Sequence, residues 1–335
     1  MNRGHIGVLP RAPRLEDDSY LDFMETLRNF NTRTLFTKIL PLTFDPQGES
    51  NAAIRSWKRL MRSQQQQTWQ KVLDRYASER GRWEAELDAA EKNRPGRLHY
   101  DPAFQVPRYA ALDIHLQPGG YVNDTLAGYV FHHGTKVFYQ GENDQDELHH
   151  QVASFVAPPA DGNITRILDL GCSIGQGTTA LKQRFPQAEV TGLDVGLPMV
   201  RYAHKRAVDL DVDVHFRHGL AEDTQLPSGS FDAILCYILF HEVPERLFPV
   251  ILREIHRLLR PGGTLTVVDA PNNKNLPAPN RFWLKFDSAY NCEPYSPAFV
   301  ASDFRGLIEA AGLTVTHVGP TPTFLHLTTA VKTAP

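Results

Sequence analysis

The sequence predicts an α/β protein with a doubly wound parallel sheet in its C-terminal half and helices in its N-terminal half. The apolar run Arg166–Leu170 is followed by three glycines within seven residues and then by a helical segment. A strand, a glycine turn and a helix in this order make a nucleotide-binding crossover. From residue 160 onward, strand-like and helix-like segments alternate regularly, which is typical of such a sheet. Residues 50–92 instead carry a long helical pattern.

The N-terminal half is predicted to contain several helices. Asp17, Asp18 and Ser19 can cap a helix that runs to about Leu40. Residues 50–92 are rich in Gln, Arg, Glu and Ala, with a break at Gly81, and can form two antiparallel helices. Four prolines make residues 94–119 an extended connection, and residues 120–139 and 144–156 are predicted to be largely helical.

The C-terminal half is predicted to supply the whole sheet. An amphipathic helix over residues 244–259 and an insertion rich in proline and aromatic residues over 270–301 lie between predicted strands. Because residues 160–335 contain every strand that the sheet needs, the first half is expected to add none. The seven predicted strands are residues 166–170, 189–194, 212–216, 231–237, 264–269, 313–318 and 324–332.

Composition narrows the class of protein. The 335 residues are 41% hydrophobic and carry a net charge of −3, which gives no general attraction to nucleic acid. The three cysteines form no C-x-x-C pair, so a reducing, cytoplasmic location is expected. The longest apolar run, Ala233–Phe240, is too short to cross a bilayer, and no membrane partner is predicted.

The helical pattern between Arg55 and Arg82 is locally basic. It can be an RNA-binding helix or the solvated face of a helical lid. Acidic residues such as Glu79 and Glu84 interleave with the basic ones, and the whole chain is acidic. The solvated face is therefore favoured, and no RNA binding is expected at physiological salt.

Tyrosines and histidines cluster before the first predicted strand of the sheet. They can form a substrate pocket wall, a metal site, or ordinary packed and surface positions. Neither H-x₃-H nor H-E-x-x-H spacing is present, so no metal is predicted. The cluster consists of Tyr121, Tyr129, His132, His133, Tyr139, His149 and His150.

Five segments, taken together and in order, resemble the class I S-adenosylmethionine (SAM) methyltransferases, in particular the small-molecule branch related to ubiquinone-type methyltransferases. They are RILDLGCSIGQGT, EVTGLD, residues 220–223, LPSGSFDAILCYILFHEVP and LLRPGGTLTVVD. The resemblance covers about residues 160–335. It implies a seven-stranded Rossmann-like sheet in a SAM-binding domain, with residues 1–156 as a mainly helical cap and substrate domain and residues 270–301 near the active site.

The resemblance also implies SAM as cofactor and assigns residues to it. Ser173 departs from a glycine common at that place, and Leu220 replaces an acid or amide. Asp194 would bind the ribose hydroxyls, and Ala221 and Glu222 would lie beside the adenine. Asp169, Gly171, Ser173 and Gly175 would surround the methionine part.

Two further residues are predicted at the point of methyl transfer. Tyr237 ends the fourth predicted strand, where the methyl group would lie. His241 follows in FHEVP and can be either a proton acceptor or a structural histidine. The predicted substrate contacts are Tyr121, Tyr129, His132, His133, Tyr139 and Tyr290.

The predicted function is SAM-dependent methylation of a small organic acceptor at O, N, C or S. A dehydrogenase is disfavoured because the glycine spacing is not G-x-G-x-x-G. An RNA or protein methyltransferase and a non-catalytic SAM-binding protein remain alternatives. The apolar stripe that carries Trp57, Trp69 and Trp83 must be covered, by the rest of the chain or by a second copy in a homodimer.

Overall fold

A computed structural model describes residues 14–44, 51–272 and 275–333. Its centre is one eight-stranded mixed sheet with the strand order β1-β4-β3-β2-β5-β6-β8-β7. The strands are β1 (Arg97–His99), β2 (Arg166–Leu170), β3 (Glu189–Asp194), β4 (His215–His218), β5 (Phe231–Tyr237), β6 (Leu259–Asp269), β7 (Leu313–Pro320) and β8 (His326–Lys332).

The strand order places a ligand crevice at the middle of the sheet. Strands β1 to β6 pair in parallel, whereas β8 is antiparallel to both β6 and β7. The chain moves outward from β2 to β3 on one side and begins again with β5 on the other side. In open α/β sheets, ligands bind outside the carboxyl ends of the strands at this reversal.

The α/β fold is confirmed, with one correction. The prediction that the first half adds no strand is wrong, because β1 pairs in parallel with β4, for instance Leu98 with Phe216. Gly96 makes the approach possible: its φ is +78°, and a Cβ there would lie 2.0 Å from the Val214 carbonyl oxygen. Strand β1 has only three residues, and a run this short shows too little alternation of apolar and polar residues to be predicted as a strand.

Helices cover both faces of the sheet. The break between α3 and α4 lies at Ser78 and Glu79, just before Gly81. In the first half the helices are α1 (Leu15–Asn29), α2 (Phe36–Ile39), α3 (Ala52–Ala77), α4 (Arg80–Ala90), α5 (Ala127–Phe138) and α6 (Glu147–Phe155). In the second half they are α7 (Gln176–Arg184), α8 (Leu197–Asp209), α9 (Phe248–Leu258), α10 (Ala278–Tyr290), α11 (Ser296–Ala301) and α12 (Phe304–Ala310). No helix in the described ranges combines the length and apolarity needed to cross a membrane.

The helices of the first half pack directly on the sheet-bearing half. Tyr129 on α5 and Met199 and Tyr202 on α8 belong to one buried apolar cluster. Trp57, Trp69 and Trp83 are all buried within the chain. The apolar stripe that motivated a homodimer is therefore covered without a second copy, and the homodimer stays a prediction.

Two glycine-to-alanine substitutions should have opposite effects on stability. A Cβ at Gly134 on α5 would lie 1.8 Å from the Trp69 ring, whereas a Cβ at Gly81 on α4 would meet nothing within 4 Å. We expect Gly134→Ala to lower the free energy of unfolding by about 1–3 kcal/mol through overpacking. Gly81→Ala should raise it by up to about 1 kcal/mol, because alanine favours the helix. Urea denaturation of both variants measures the free energy of unfolding. Equal changes in the two variants would contradict the described packing of α5 on α3.

Candidate active site

A cavity of about 480 Å³ lies at the carboxyl ends of the central strands, within the size range of small-molecule sites. Residues at the ends of β2, β3 and β5 form its floor, and residues of the first half and of the 270–301 insertion form its walls. Apolar side chains that include Phe131, Phe138, Trp283 and Leu284 line much of it.

The glycine loop between β2 and α7 forms one end of this cavity. Gly171, Ser173 and Gly175 all have positive φ angles of 82°, 49° and 74°, and the amide of Gly171 donates to the Leu193 carbonyl at 2.8 Å. A Cβ at Gly175 would lie 2.6 Å from the Phe216 ring, so the turn requires glycine there. The loop thus bends back over the end of β3 and presents its backbone to the cavity.

Two carboxylates stand beside this loop. Asp194 accepts hydrogen bonds from the backbone amides of Ser173 at 2.9 Å and Gly196 at 2.8 Å, and Asp169 accepts one from the Thr178 hydroxyl at 2.7 Å. Burial raises the pKa of Asp194 and raises that of Asp169 to about 7. Both side chains line the cavity.

The loop also holds an unsatisfied polar atom. The Ser173 hydroxyl is buried and has no hydrogen-bond partner among the described residues, and Ser173 lines the cavity. Open backbone, two carboxylates and a free hydroxyl therefore fit a ligand that carries amino, carboxylate and ribose groups, as SAM does.

The two residues predicted to contact the adenine, Ala221 and Glu222, do not line the cavity. The Glu222 carboxylate accepts from the Tyr109 hydroxyl at 2.8 and 2.9 Å, and Tyr109 itself lines the cavity. Tyr109 lies in the proline-broken connection, where no periodic pattern identifies a functional residue.

Tyr237 lines the cavity. It ends β5 and forms a side-chain hydrogen bond with Tyr139 of the first half. Burial, together with Tyr139, raises the pKa of Tyr237 well above its ordinary value. The phenol therefore stays protonated near neutral pH, and it can donate a hydrogen bond but cannot accept a proton as a base.

His241 is held by a carboxylate that was not among the predicted site residues. Its Nδ1 contacts Asp269 Oδ1 at the end of β6, while Asp269 Oδ2 accepts from the Phe240 amide at 2.9 Å. Burial lowers the pKa of His241, but the charge and hydrogen bond of Asp269 outweigh it and raise the pKa to about 10. His241 is thus an oriented imidazole whose Nε2 faces further acidic groups.

Those acidic groups form a cluster beside His241. Glu293 Oε2 lies 4.0 Å from His241 Nε2, and Glu293 Oε1 contacts His115 Nε2. Burial and the neighbouring Glu293 carboxylate raise the pKa of Glu242, and the same two causes raise that of Asp287 to about 7. The cavity therefore combines apolar walls with one strongly polar corner.

The structure divides the predicted substrate residues between two places. Tyr121 and Tyr139 line the cavity of about 480 Å³ described above, hereafter the large cavity. Tyr129, His132 and His133 instead line a second cavity of about 420 Å³ between helices of the first half and α8. The helical period explains this division, because Phe131 and Phe138 of α5 face the large cavity and those three residues face away from it.

The second group is held by its own contacts. His132 Nδ1 and the Tyr202 hydroxyl are hydrogen-bonded at 2.7 Å, and His133 contacts the Tyr76 hydroxyl. Tyr290 lines neither cavity and stacks on Phe286 at 5.6 Å between ring centroids. Tyr129, His132, His133 and Tyr290 therefore do not line the large cavity. Their positions on their helices direct these side chains toward neighbouring helices instead.

Several residues that line the large cavity, or that hold a lining residue as Asp269 does, were missed by sequence reasoning. Asp269 has the same signal as Asp169 and Asp194, an acid at the end of an apolar strand, and could have been found by it. Glu242 directly follows His241. His115, Asp287 and Glu293 lie in irregular or inserted segments, where only the folded chain brings them together.

The His241–Asp269 pair should make stability depend on alkaline pH. Because the pKa of His241 is about 10 in the folded protein and 6.5 ordinarily, its charged form contributes stability fully below about pH 6.5. This contribution is lost as the pH rises through about 10. We expect the difference in unfolding free energy between wild type and His241→Gln to shrink steadily from pH 7 to pH 10. Denaturant titrations over this range measure it, and a difference that is constant or grows with pH would contradict the pairing.

Comparisons with known proteins point to one kind of domain. Residues 167–263 match the family described as "Methyltransferase domain". A fatty-acid O-methyltransferase of Mycolicibacterium smegmatis is 33% identical over 138 residues, or 40% of this chain and 49% of that protein. A demethylmenaquinone methyltransferase of Thermus thermophilus is 36% identical over 106 residues, or 32% of this chain and 47% of that protein.

A solved structure of an O-methyltransferase family protein from Burkholderia thailandensis superimposes with a TM-score of 0.48 at 17% identity, over 60% of this chain and 60% of that one. The chain spans about half the length of the curated relatives it matches.

Proposed function

We propose that this chain, which belongs to the class I SAM-dependent methyltransferase superfamily, transfers a methyl group from SAM to a small organic acceptor in the large cavity. One observation carries the proposal. The glycine loop with Asp169 and Asp194 shares a single cavity with His241, whose Nδ1 is held by Asp269. The residues proposed to hold the cofactor and a group able to accept a proton thus face the same cavity.

The cofactor supplies an electrophilic sulfonium methyl group, whose C–S bond breaks as the bond to the acceptor forms. The glycine loop and Asp194 bind and orient the cofactor, with Asp194 also holding the loop through its two backbone hydrogen bonds. Tyr237, fixed by Tyr139, shapes the floor beside the reacting atoms. Holding two reactants at the right distance and angle in little water supplies much of such an acceleration.

His241 accepts the proton that the acceptor loses. Asp269 holds Nδ1 and so leaves Nε2 as the reactive nitrogen. A pKa of about 10 keeps the imidazole protonated at neutral pH in the protein alone. A cationic ligand in the same cavity shifts His241 toward its neutral form, because like charges repel.

The walls favour an apolar acceptor with one polar end. Phe131, Phe138, Trp283 and Leu284 line the cavity on the side of the helices and the insertion. The names of the two curated relatives, a fatty-acid O-methyltransferase and a demethylmenaquinone methyltransferase, agree with such an acceptor. We place the N-terminal helices as a cap that completes these walls and excludes water.

Nucleic acid is a weaker alternative. Several basic residues of α3 and α4 are engaged within the chain: Lys58 lies over the Phe282 ring, Arg75 pairs with Asp17, and Arg80 pairs with Asp124. These contacts reduce the positive surface that the two helices offer to a nucleic acid. We also propose a cytoplasmic location, because the three cysteines are all free.

Methyl-labelled SAM tests the proposal directly. The full chain is incubated with labelled SAM and, in separate reactions, a long-chain fatty acid, a hydroxylated naphthoquinone, bulk RNA and a protein extract. Label in at least one of the two small molecules, and none in RNA or protein, supports the proposal. Label confined to RNA or protein contradicts it, and SAM binding without transfer to any acceptor would favour a non-catalytic binding protein.

A further inference from the structure

We propose that His115, Glu242 and Glu293 bind one divalent first-row transition cation at the polar corner of the large cavity. One ligand atom from each residue, an imidazole nitrogen or a carboxylate oxygen, lies within 4.8 Å of the other two. The three residues come from the proline-broken connection, the loop after β5 and the segment after α10. No spacing in the sequence joins them, which is why the sequence-based expectation was a protein without a metal.

The ligand types define the class of cation. Carboxylates alone suit Mg²⁺ or Ca²⁺, whereas an added imidazole favours first-row ions such as Mn²⁺, Fe²⁺ or Zn²⁺. Two carboxylates also balance a charge of +2. Three protein ligands leave coordination positions open, as in catalytic rather than structural sites. All three residues line the cavity, so the open positions face it.

A second observation points to a missing ligand. Glu293 is only 4% exposed, and its Oε2 has no hydrogen-bond partner in good geometry among the described residues. Its Oε1 contacts His115, and the other charged group facing Oε2 is His241 Nε2 at 4.0 Å. A buried carboxylate oxygen without a partner costs free energy, and a bound cation would satisfy it.

Hydrogen bonds hold both the imidazole ring and the backbone of His115 in place, as expected for a metal ligand. Its Nδ1 is hydrogen-bonded to the Tyr121 hydroxyl at 2.8 Å, and its carbonyl accepts from the Trp69 indole at 2.7 Å and from Gln65 at 3.2 Å. The hydrogen bond to Tyr121 fixes the orientation of the imidazole ring, so that Nε2 points at Glu293. The two hydrogen bonds to the carbonyl hold the backbone of the loop in place. Metal-bound histidines are commonly held through their second nitrogen in this way.

The position of the site suggests its use, which rests on the proposed function. A cation at this corner would bind an acceptor oxygen next to His241 Nε2. Coordination makes a hydroxyl lose its proton more readily. The acceptor class then narrows to molecules with a hydroxyl or carboxylate at one end of an apolar body.

Direct metal titration of the full chain tests the inference without any turnover. After chelator treatment and dialysis, Mn²⁺ binding is followed by electron paramagnetic resonance and Zn²⁺ binding by calorimetry. We expect one ion per chain, and Glu293→Gln should weaken binding by about 100-fold or more, at least the loss seen when a metal's supporting residues are removed. Glu189→Gln is the control: it removes an exposed carboxylate at the start of β3 that does not line the cavity, and it should leave metal affinity unchanged.

The outcomes separate this inference from the proposed function. SAM binding by the same samples shows that each variant is folded. A chain that binds SAM but neither Mn²⁺ nor Zn²⁺, or a Glu293→Gln variant that binds metal as wild type does, overturns the metal site and leaves the methyltransferase proposal intact. A chain that binds metal but no SAM supports the site and overturns the proposed function.

Discussion

Replacement of His241 by glutamine is expected to slow methyl transfer by about 10²- to 10⁴-fold, the usual contribution of a positioned proton acceptor. The affinity for SAM should change little, because His241 lies outside the glycine loop and is not among the residues assigned to the cofactor. Single-turnover rates with labelled SAM measure the loss. His150→Gln is the matched control, because His150 is an exposed histidine on α6 and its replacement should leave the rate unchanged.

The pH dependence of the rate distinguishes a base from a packing residue. If His241 must be neutral to act, the rate of methyl transfer should rise with pH above neutrality, since Asp269 raises the pKa of His241. Asp269→Asn should move this rise to lower pH, because it removes the negative charge that stabilises the imidazolium. A rate that is insensitive to His241→Gln, or a pH profile that Asp269→Asn does not move, would contradict the role of this pair.

Replacement of Asp194 by alanine is expected to weaken SAM binding by about 1.5–3 kcal/mol, the range for hydrogen bonds to a charged group. Part of the loss should come from the ribose hydroxyls and part from the loop, since Asp194 accepts from the Ser173 and Gly196 amides. Calorimetry with SAM measures the affinity. Glu189→Ala is the matched control, because Glu189 begins the same strand β3 at its opposite, exposed end.

Titration of both variants with SAM and with NAD decides between cofactor classes. An unchanged SAM affinity in Asp194→Ala would remove Asp194 from the cofactor site. Preferential binding of NAD by the wild-type chain would contradict the assignment of the whole cavity to SAM and would favour the dehydrogenase alternative.

Local patterns and the family resemblance together predicted several residues that the structure places around the large cavity. An apolar run that ends in an acid marks a buried strand whose last residue reaches the ligand crevice, as Asp169 and Asp194 do. Gly171 and Gly175 were predicted because a sharp strand-to-helix turn needs positive φ angles. His241 was predicted because the family resemblance places the loop that follows β5 in the active site.

The cap side of the site could not be predicted in the same way. The face of α5 that meets the cavity depends on how α5 packs against α3 and α8, so Phe131 rather than His132 reaches it. His115 and Glu293 are far apart in sequence and lie in segments without periodicity. Their contact depends on long-range packing, to which no local rule applies. The same holds for Tyr109, which meets Glu222 only in the folded chain.

Native mass spectrometry of the full chain with added SAM tests the central claim most directly, because it asks whether this cavity holds SAM. The account predicts one SAM per chain for the wild type and for Glu189→Ala, and a strong loss of that complex for Asp194→Ala. A wild-type chain that shows no SAM complex, or one whose complex is unaffected by Asp194→Ala, would contradict it.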